Sequence, residues 1–155
     1  MRLDTFNKKS FDRGTNRCTE VIWFVIHALF FSNALPGSGW RMVLLRFFGA
    51  KIGKHVVIKP HVRVKFPWRL SIGEFSWIGE SVWIDNLADV RIGAHCCVSQ
   101  AAYLCTGNHD WSAPSFELTA RPIEIKNQVW IGMCSQPICV ARGILKNLLT
   151  LYWEM

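Results

Sequence analysis

The stretch Thr106-Gly107-Asn108-His109-Asp110-Trp111 holds the residues best suited to chemistry. An imidazole titrates near neutrality, so His109 can take a proton from a hydroxyl as that oxygen attacks an acyl carbon. Asp110 offers a carboxylate to orient the ring or favour its charged form. Asn108 is a second orienting group, and Trp111 is suited to wall the site. Each has a plainer use, because Asx residues close local turns, a tryptophan anchors a loop, and a histidine serves structure. Both readings stand at this point. The six Cys (18, 96, 97, 105, 134 and 139) form no Cys-x-x-Cys pair and have no His at zinc-ligand spacing. No metal is expected.

Something must hold this loop in place, and the preceding residues show what does. Aliphatic residues recur every sixth position: Ile52, Ile58 and Val64; Ile72, Ile78 and Ile84; Ile92, Val98 and Leu104. The three series start at 52, 72 and 92, a super-period of twenty. Repetition of this kind outranks local helix or strand signals. A six-residue step fits neither a helix at 3.6 nor simple strand alternation. It fits a three-sided coil in which each side is a short strand pointing one aliphatic residue at the axis. Stacked coils pair backbone to backbone at about 4.8 Å and bury a continuous column. Gly follows the aliphatic residue at Gly53, Gly73, Gly79 and Gly93, as corners with unusual φ/ψ or close backbone approach require. The pattern predicts a parallel β-solenoid.

The rest of the chain is arranged around that solenoid. Residues 1–51 read as a polar arm followed by helices packing on it. The apolar run Val21 to Phe31 is too short to cross about 30 Å of hydrocarbon. It is expected as a helix on the solenoid, or as one lying in a membrane interface with Arg17, Arg41 and Arg46 near lipid phosphates. His27 within it reads as a core or edge residue. A second helix is expected over 39–48, stopped by Gly49. The solenoid occupies 52–132, with the turn Asp85-Asn86-Leu87-Ala88-Asp89 absorbing one insertion. An excursion over 105–124 is marked by Gly107, Asn108, Pro114 and Pro122. Ile125 and Ile131-Gly132 resume the step. The phase then stops, with Pro137 where an aliphatic residue is due. Residues 133–155 are expected as an irregular or helical tail that caps the last coil, or as sequence that has left its proper frame.

The chain of 155 residues carries 18 Lys and Arg against 11 Asp and Glu, a net charge of +7. That balance suits an anionic partner or a merely solvated basic surface. With no run of five or six like charges and no separable aromatic-basic pattern, nucleic acid is not expected as a partner. The N-terminus has no secretory pattern, so a cytoplasmic setting is expected, with peripheral association at the inner membrane face as an added option.

The phased [Ile/Val/Leu]-Gly-x4 repeat followed by TGNHDW resembles the hexapeptide-repeat acyltransferases. More narrowly, it is similar to the sugar O-acetyltransferases of colanic acid and exopolysaccharide biosynthesis. The segments DRGT (12–15), GWRMVLLRFFGAKIGKHVVIKP (39–60), FPWRLSIGEFSWIGESVWIDNLADVRIG (66–93) and YLCTGNHDWSAPSF (103–116) carry the likeness, which covers roughly residues 1–132. The resemblance implies an all-β fold, a left-handed parallel β-helix, assembled as a homotrimer. It implies acetyl-CoA as donor and a sugar or polysaccharide-precursor hydroxyl as acceptor. Carried onto this chain, it makes His109 the general base, Asp85 and Asn86 acceptor-binding residues, and Trp130 of VWIG a neighbour of the donor's thioester arm. In the family the coils continue beyond VWIG and supply much of the donor groove. The donor half of the site is therefore expected to be impaired here, and an inactive or truncated relative is the alternative. A γ-type carbonic anhydrase on the same helix would need three converging His, and the five His (27, 55, 61, 95 and 109) show no close pair near the loop.

Overall fold

The computed structural model describes residues 11–110, 112 and 115–133. From Lys51 onward the chain winds into three-sided coils. Coil one contributes β1 (Lys51–Ile52), β2 (Val57–Ile58) and β3 (Arg63–Val64). Coil two contributes β4 (Leu70–Ile72), β5 (Trp77–Ile78) and β6 (Trp83–Asp85), and coil three β7 (Val90–Ile92), β8 (Cys97–Val98) and β9 (Tyr103–Cys105). A hairpin follows, formed by β10 (Gly107–His109) and β11 (Leu118–Ala120). Coil four resumes with β12 (Ile123–Ile125) and β13 (Trp130–Ile131). The coil strands form three parallel sheets: β1-β4-β7-β12, β2-β5-β8-β13 and β3-β6-β9.

Register confirms the repeat residue by residue. Ile52 lies opposite Ile72, Ile72 opposite Ile92, and Ile92 opposite Ile125. Ile58, Ile78, Val98 and Ile131 form the second column, and Val64, Ile84 and Leu104 the third. A second residue per side also points inward, two positions before each of these. Val56, Val62, Leu70, Val82, Val90 and Ala102 are all buried, as are Ser76 and Cys96. The two polar members bond to backbone of a neighbouring coil: the Ser76 hydroxyl donates to Gly93 O (2.8 Å) and accepts from Cys96 N (3.0 Å). Buried polar atoms are thereby satisfied without breaking the column.

The corners separate two roles that the sequence pattern had merged. A Cβ on Gly79 would lie 2.5 Å from Gln100 N of the next coil, so that glycine serves close backbone approach. The left-handed conformation falls instead three positions after inward aliphatic residues of the first two columns. It is borne by His55, His61, Phe75, Ser81, His95, Ala101 and Gln128, with φ between 55° and 61°. At one corner the rings of His55, Phe75 and His95 stack at 4.8 and 5.1 Å, which offsets part of the strain with ring contact.

The N-terminal segment is a cap on coil one. Helix α1 (Arg17–Ile26) starts at Asn16, whose side chain accepts from Thr19 N, and continues through a π-helical turn, His27–Phe31. Helix α2 (Gly39–Phe47) ends before Gly49, which has φ +92°. Coil one presents an open backbone edge on all three sides, and each is covered. Trp23 Nε1 donates to Val64 O (3.0 Å) and His27 Nε2 accepts from Val64 N (3.2 Å), covering β3. Ser38 Oγ accepts from Ile58 N (2.7 Å) on β2, and the Arg46 guanidinium donates to Ile52 O and Gly53 O beside β1. An uncovered edge would invite pairing with another chain. His27 is thus an edge residue, as expected.

Two of the three arginines expected at a lipid surface are consumed in this cap. Arg46 holds the β1 edge, and Arg41 is only 1% exposed, donating to Gly37 O and Leu35 O and stacking on Trp40. The outward face of α1 stays apolar, with Val21, Ile22, Phe24, Val25 and Leu29 exposed. Among the described residues, no helix is long and apolar enough to cross a membrane.

Candidate active site

Within the excursion expected over 105–124, β10 and β11 form a hairpin on the end of coil three. β10 and β11 pair antiparallel, Gly107 with Ala120, Asn108 with Thr119 and His109 with Leu118. Its base is fixed to the turn that closes coil two. Thr106 N donates to Asp85 O (3.2 Å), Thr106 Oγ1 accepts from Ala88 N (2.9 Å), and Leu87 packs against Gly107. The histidine loop and the Asp85–Asp89 turn, well separated in sequence, thus form one surface.

His109 is held by the far strand of its own hairpin. Its ring lies parallel to that of Phe116 at 4.3 Å, and its Nδ1 is 3.0 Å from Phe116 O. A carbonyl oxygen can only accept, so Nδ1 carries the hydrogen. The neutral ring then has its lone pair on Nε2, the tautomer a general base needs. Asn108 Oδ1 accepts from His109 N (2.8 Å), fixing the backbone beneath the ring. Asp110 Oδ1 accepts from Ser112 N and Oγ (3.0 and 2.6 Å), closing an Asx turn at the hairpin end. Trp111 lies outside the described residues, as does the tail 134–155.

On the coil-two side, Asp85 sits between two partners. Tyr103 Oη donates to Asp85 Oδ2 (3.1 Å), and Lys65 Nζ lies 2.8 Å from Oδ1 as an ion pair, off the line of a hydrogen bond. Burial above all, then the Cys105 thiol and the Asp85 carboxylate, push the Tyr103 phenol well above its usual range. It therefore stays a donor toward Asp85. Asn86 is fully buried, and its carboxamide clasps coil one: Oδ1 accepts from Phe66 N (2.9 Å) and Nδ2 donates to Phe66 O (2.7 Å). Trp130 stands on the outward face of β13, 69% exposed, with its Nε1 donating to Ser99 Oγ (2.8 Å). The structure therefore joins His109, Asn108 and Asp85 in one region and gives Asn86 a hold on the backbone. Phe116, Tyr103 and Lys65 carry no signal in the sequence, because their parts depend on pairing across the hairpin and between coils.

Comparison with known proteins identifies the family. No family model matches the chain. It is, however, 40% identical over 133 residues to an Escherichia coli (strain K12) protein provisionally named colanic acid biosynthesis acetyltransferase WcaF. The match covers 85% of this chain and 71% of that protein. The Shigella flexneri protein of the same name matches over the same span. This chain belongs to that acetyltransferase family. Solved structures agree on the fold. A hexapeptide-repeat containing acetyltransferase from Vibrio cholerae superposes with a TM-score of 0.66 at 22% identity, over 75% of this chain and 66% of that one. A maltose O-acetyltransferase from Clostridium difficile 630 gives 0.66 at 18% identity, over 76% and 66%. The chain thus spans about two thirds of those structures, and the likeness at such identities concerns architecture. The architecture is the left-handed parallel β-helix. Family membership takes the place of the carbonic anhydrase alternative. Among the described residues no group of three His, Cys, Asp or Glu is placed to hold a metal ion.

Proposed function

We propose that this chain transfers an acetyl group from acetyl-CoA to a sugar hydroxyl in the making of a colanic acid-type exopolysaccharide, with His109 as general base. The observation that carries the reading is the Nδ1 contact with Phe116 O, which leaves the basic lone pair on Nε2. Nε2 takes the proton of the sugar hydroxyl as its oxygen attacks the thioester carbonyl carbon. Backbone N–H groups stabilise the oxyanion, the C–S bond breaks, and the imidazolium returns the proton to the departing thiolate. Asp85, held by Tyr103 and Lys65, accepts from hydroxyls of the acceptor. Asn86 serves the same pocket by fixing the turn that carries Asp85, and Trp130 lies along the donor's thioester arm. Asn108 and Asp110 keep the hairpin in shape. The active form is a homotrimer in the cytoplasm, where acetyl-CoA is found. The exposed aromatic rings of Phe75, Trp77 and Trp130 (46%, 57% and 69% exposed) on the outward side of the coils support assembly, because large apolar side chains left to water often mark an interaction surface.

The test combines acetyl-CoA calorimetry with mass-spectrometric detection of acetyl transfer to a panel of sugars, using His109→Ala as control. Micromolar donor binding and histidine-dependent transfer support the reading. A folded protein that binds no acetyl-CoA refutes it and favours an inactive relative.

A further inference from the structure

A groove of about 770 Å³ runs between α1 and the outward faces of β3 and β6. Its volume falls in the range of pockets that take up small ligands. Val21, Trp23, Phe24, Ala28, Phe66 and Trp83 line it with apolar surface. His27 also lines it, and burial, the largest effect, keeps that ring's pKa below the usual histidine value. Four cations border the groove: Arg13, Arg17, Arg63 and Lys65. Two are neutralised, Arg13 by Glu20 and Lys65 by Asp85. Among the described residues Arg17 and Arg63 have no carboxylate partner, and the Arg63 guanidinium carbon lies over the Trp83 ring, 4.3 Å from its centroid. The groove thus pairs an aromatic wall with two uncompensated positive charges, the complement of a phosphate joined to a hydrocarbon chain. Val21 and Phe24 belong to the groove and also to the exposed apolar face of α1. A chain longer than the groove would therefore continue along apolar surface.

We propose that this groove binds the phosphate end of a long-chain anionic lipid, with the phosphate between Arg17 and Arg63 and the first carbons against Trp23, Phe24 and Trp83. The site is separate from His109, so its failure leaves the acetyl-transfer reading standing. A lipid bound here would place its head group beside Lys65, the partner of Asp85.

The probe is octyl phosphate below its micelle concentration, followed by calorimetry and by the fluorescence of the groove tryptophans. The neutral octyl ether of tetraethylene glycol and inorganic phosphate serve as comparisons. Saturable binding of octyl phosphate, roughly tenfold or more tighter than the neutral amphiphile, is expected, since a charge-assisted contact is worth at least that factor. Inorganic phosphate should bind far more weakly. The pair Arg17→Gln with Arg63→Gln should remove the preference for charge, and Ala28→Trp, which fills the groove, should weaken both amphiphiles. Variants are used only with parental circular dichroism and Tm, and His109→Ala should bind octyl phosphate as the parent does. Equal binding of the two amphiphiles, no binding, or indifference to Ala28→Trp overturns the proposal. A change of oligomeric mass with Ala28→Trp also overturns it, because it would make the groove a contact between copies.

Discussion

Replacing Asn86 by Ala separates a structural clamp from an acceptor ligand. The substitution takes the partner of Phe66 N–H, held at 2.9 Å, and one of the two donors to Phe66 O, which keeps its bond from Arg69 N at 3.0 Å. Leaving one buried N–H unpaired costs about 1–3 kcal/mol and losing one of two bonds at the carbonyl about 0.5–1.5 kcal/mol, roughly 1.5–4.5 kcal/mol together. In a chain of this size each kcal/mol moves Tm by about 2–4 °C, giving a loss of roughly 3–18 °C. Asn86→Asp keeps the acceptor but sets a carboxylate oxygen against Phe66 O, so it should cost at least as much. Thermal unfolding by circular dichroism reads the loss, and KM for the acceptor is measured below the new transition. The clamp account expects a lower Tm with KM nearly unchanged. A variant with parental Tm and a KM raised tenfold would refute it.

Other perturbations follow from the same geometry. Gly79→Ala drives a Cβ to 2.5 Å from Gln100 N and should destabilise by about 1–3 kcal/mol or more, whereas Gly132→Ala, whose Cβ would meet nothing within 4 Å among the described residues, should be near neutral; thermal melts compare the two. Arg46→Met removes the guanidinium from Ile52 O and Gly53 O at the β1 edge, and should lower Tm and promote self-association, read by light scattering. His27 has its pKa lowered, chiefly by burial, so below about pH 6.5 the unfolded chain binds a proton that the folded chain refuses. Stability should therefore fall as pH drops from about 7.5 to 5.5, and denaturant titration of His27→Gln should show a shallower fall.

The β-helix was legible because its axial column uses only Ile, Val and Leu at a fixed step, from Ile52 to Leu104. The second column was not, since it admits the small Ala102 and the polar Ser76 and Cys96, the latter two bonded to backbone of adjacent coils. Corner conformation was misplaced for a similar reason. Glycine suggests positive φ, yet Gly53, Gly73, Gly79 and Gly93 answer crowding, while ring stacking helps hold His55, Phe75 and His95 left-handed. At the site, His109 stood out as a titratable group in a turn-rich excursion. Its orienting partner did not, because Phe116 meets it only once β10 and β11 pair, and the partner is a carbonyl that every residue owns. In the sequence Asn86 reads as an acceptor ligand or an Asx turn, and its bonds to the backbone of coil one are not legible there because they exist only once coil two stacks on coil one.

His109, set by Phe116 O, is proposed as the base that activates a sugar hydroxyl. The direct measurement is kcat for acetyl transfer by the parent and by His109→Ala, with acetyl-CoA affinity determined on the same samples. The account predicts a drop in kcat of about 10²–10⁴-fold at unchanged donor affinity and Tm. Transfer by His109→Ala at the parental rate would contradict it.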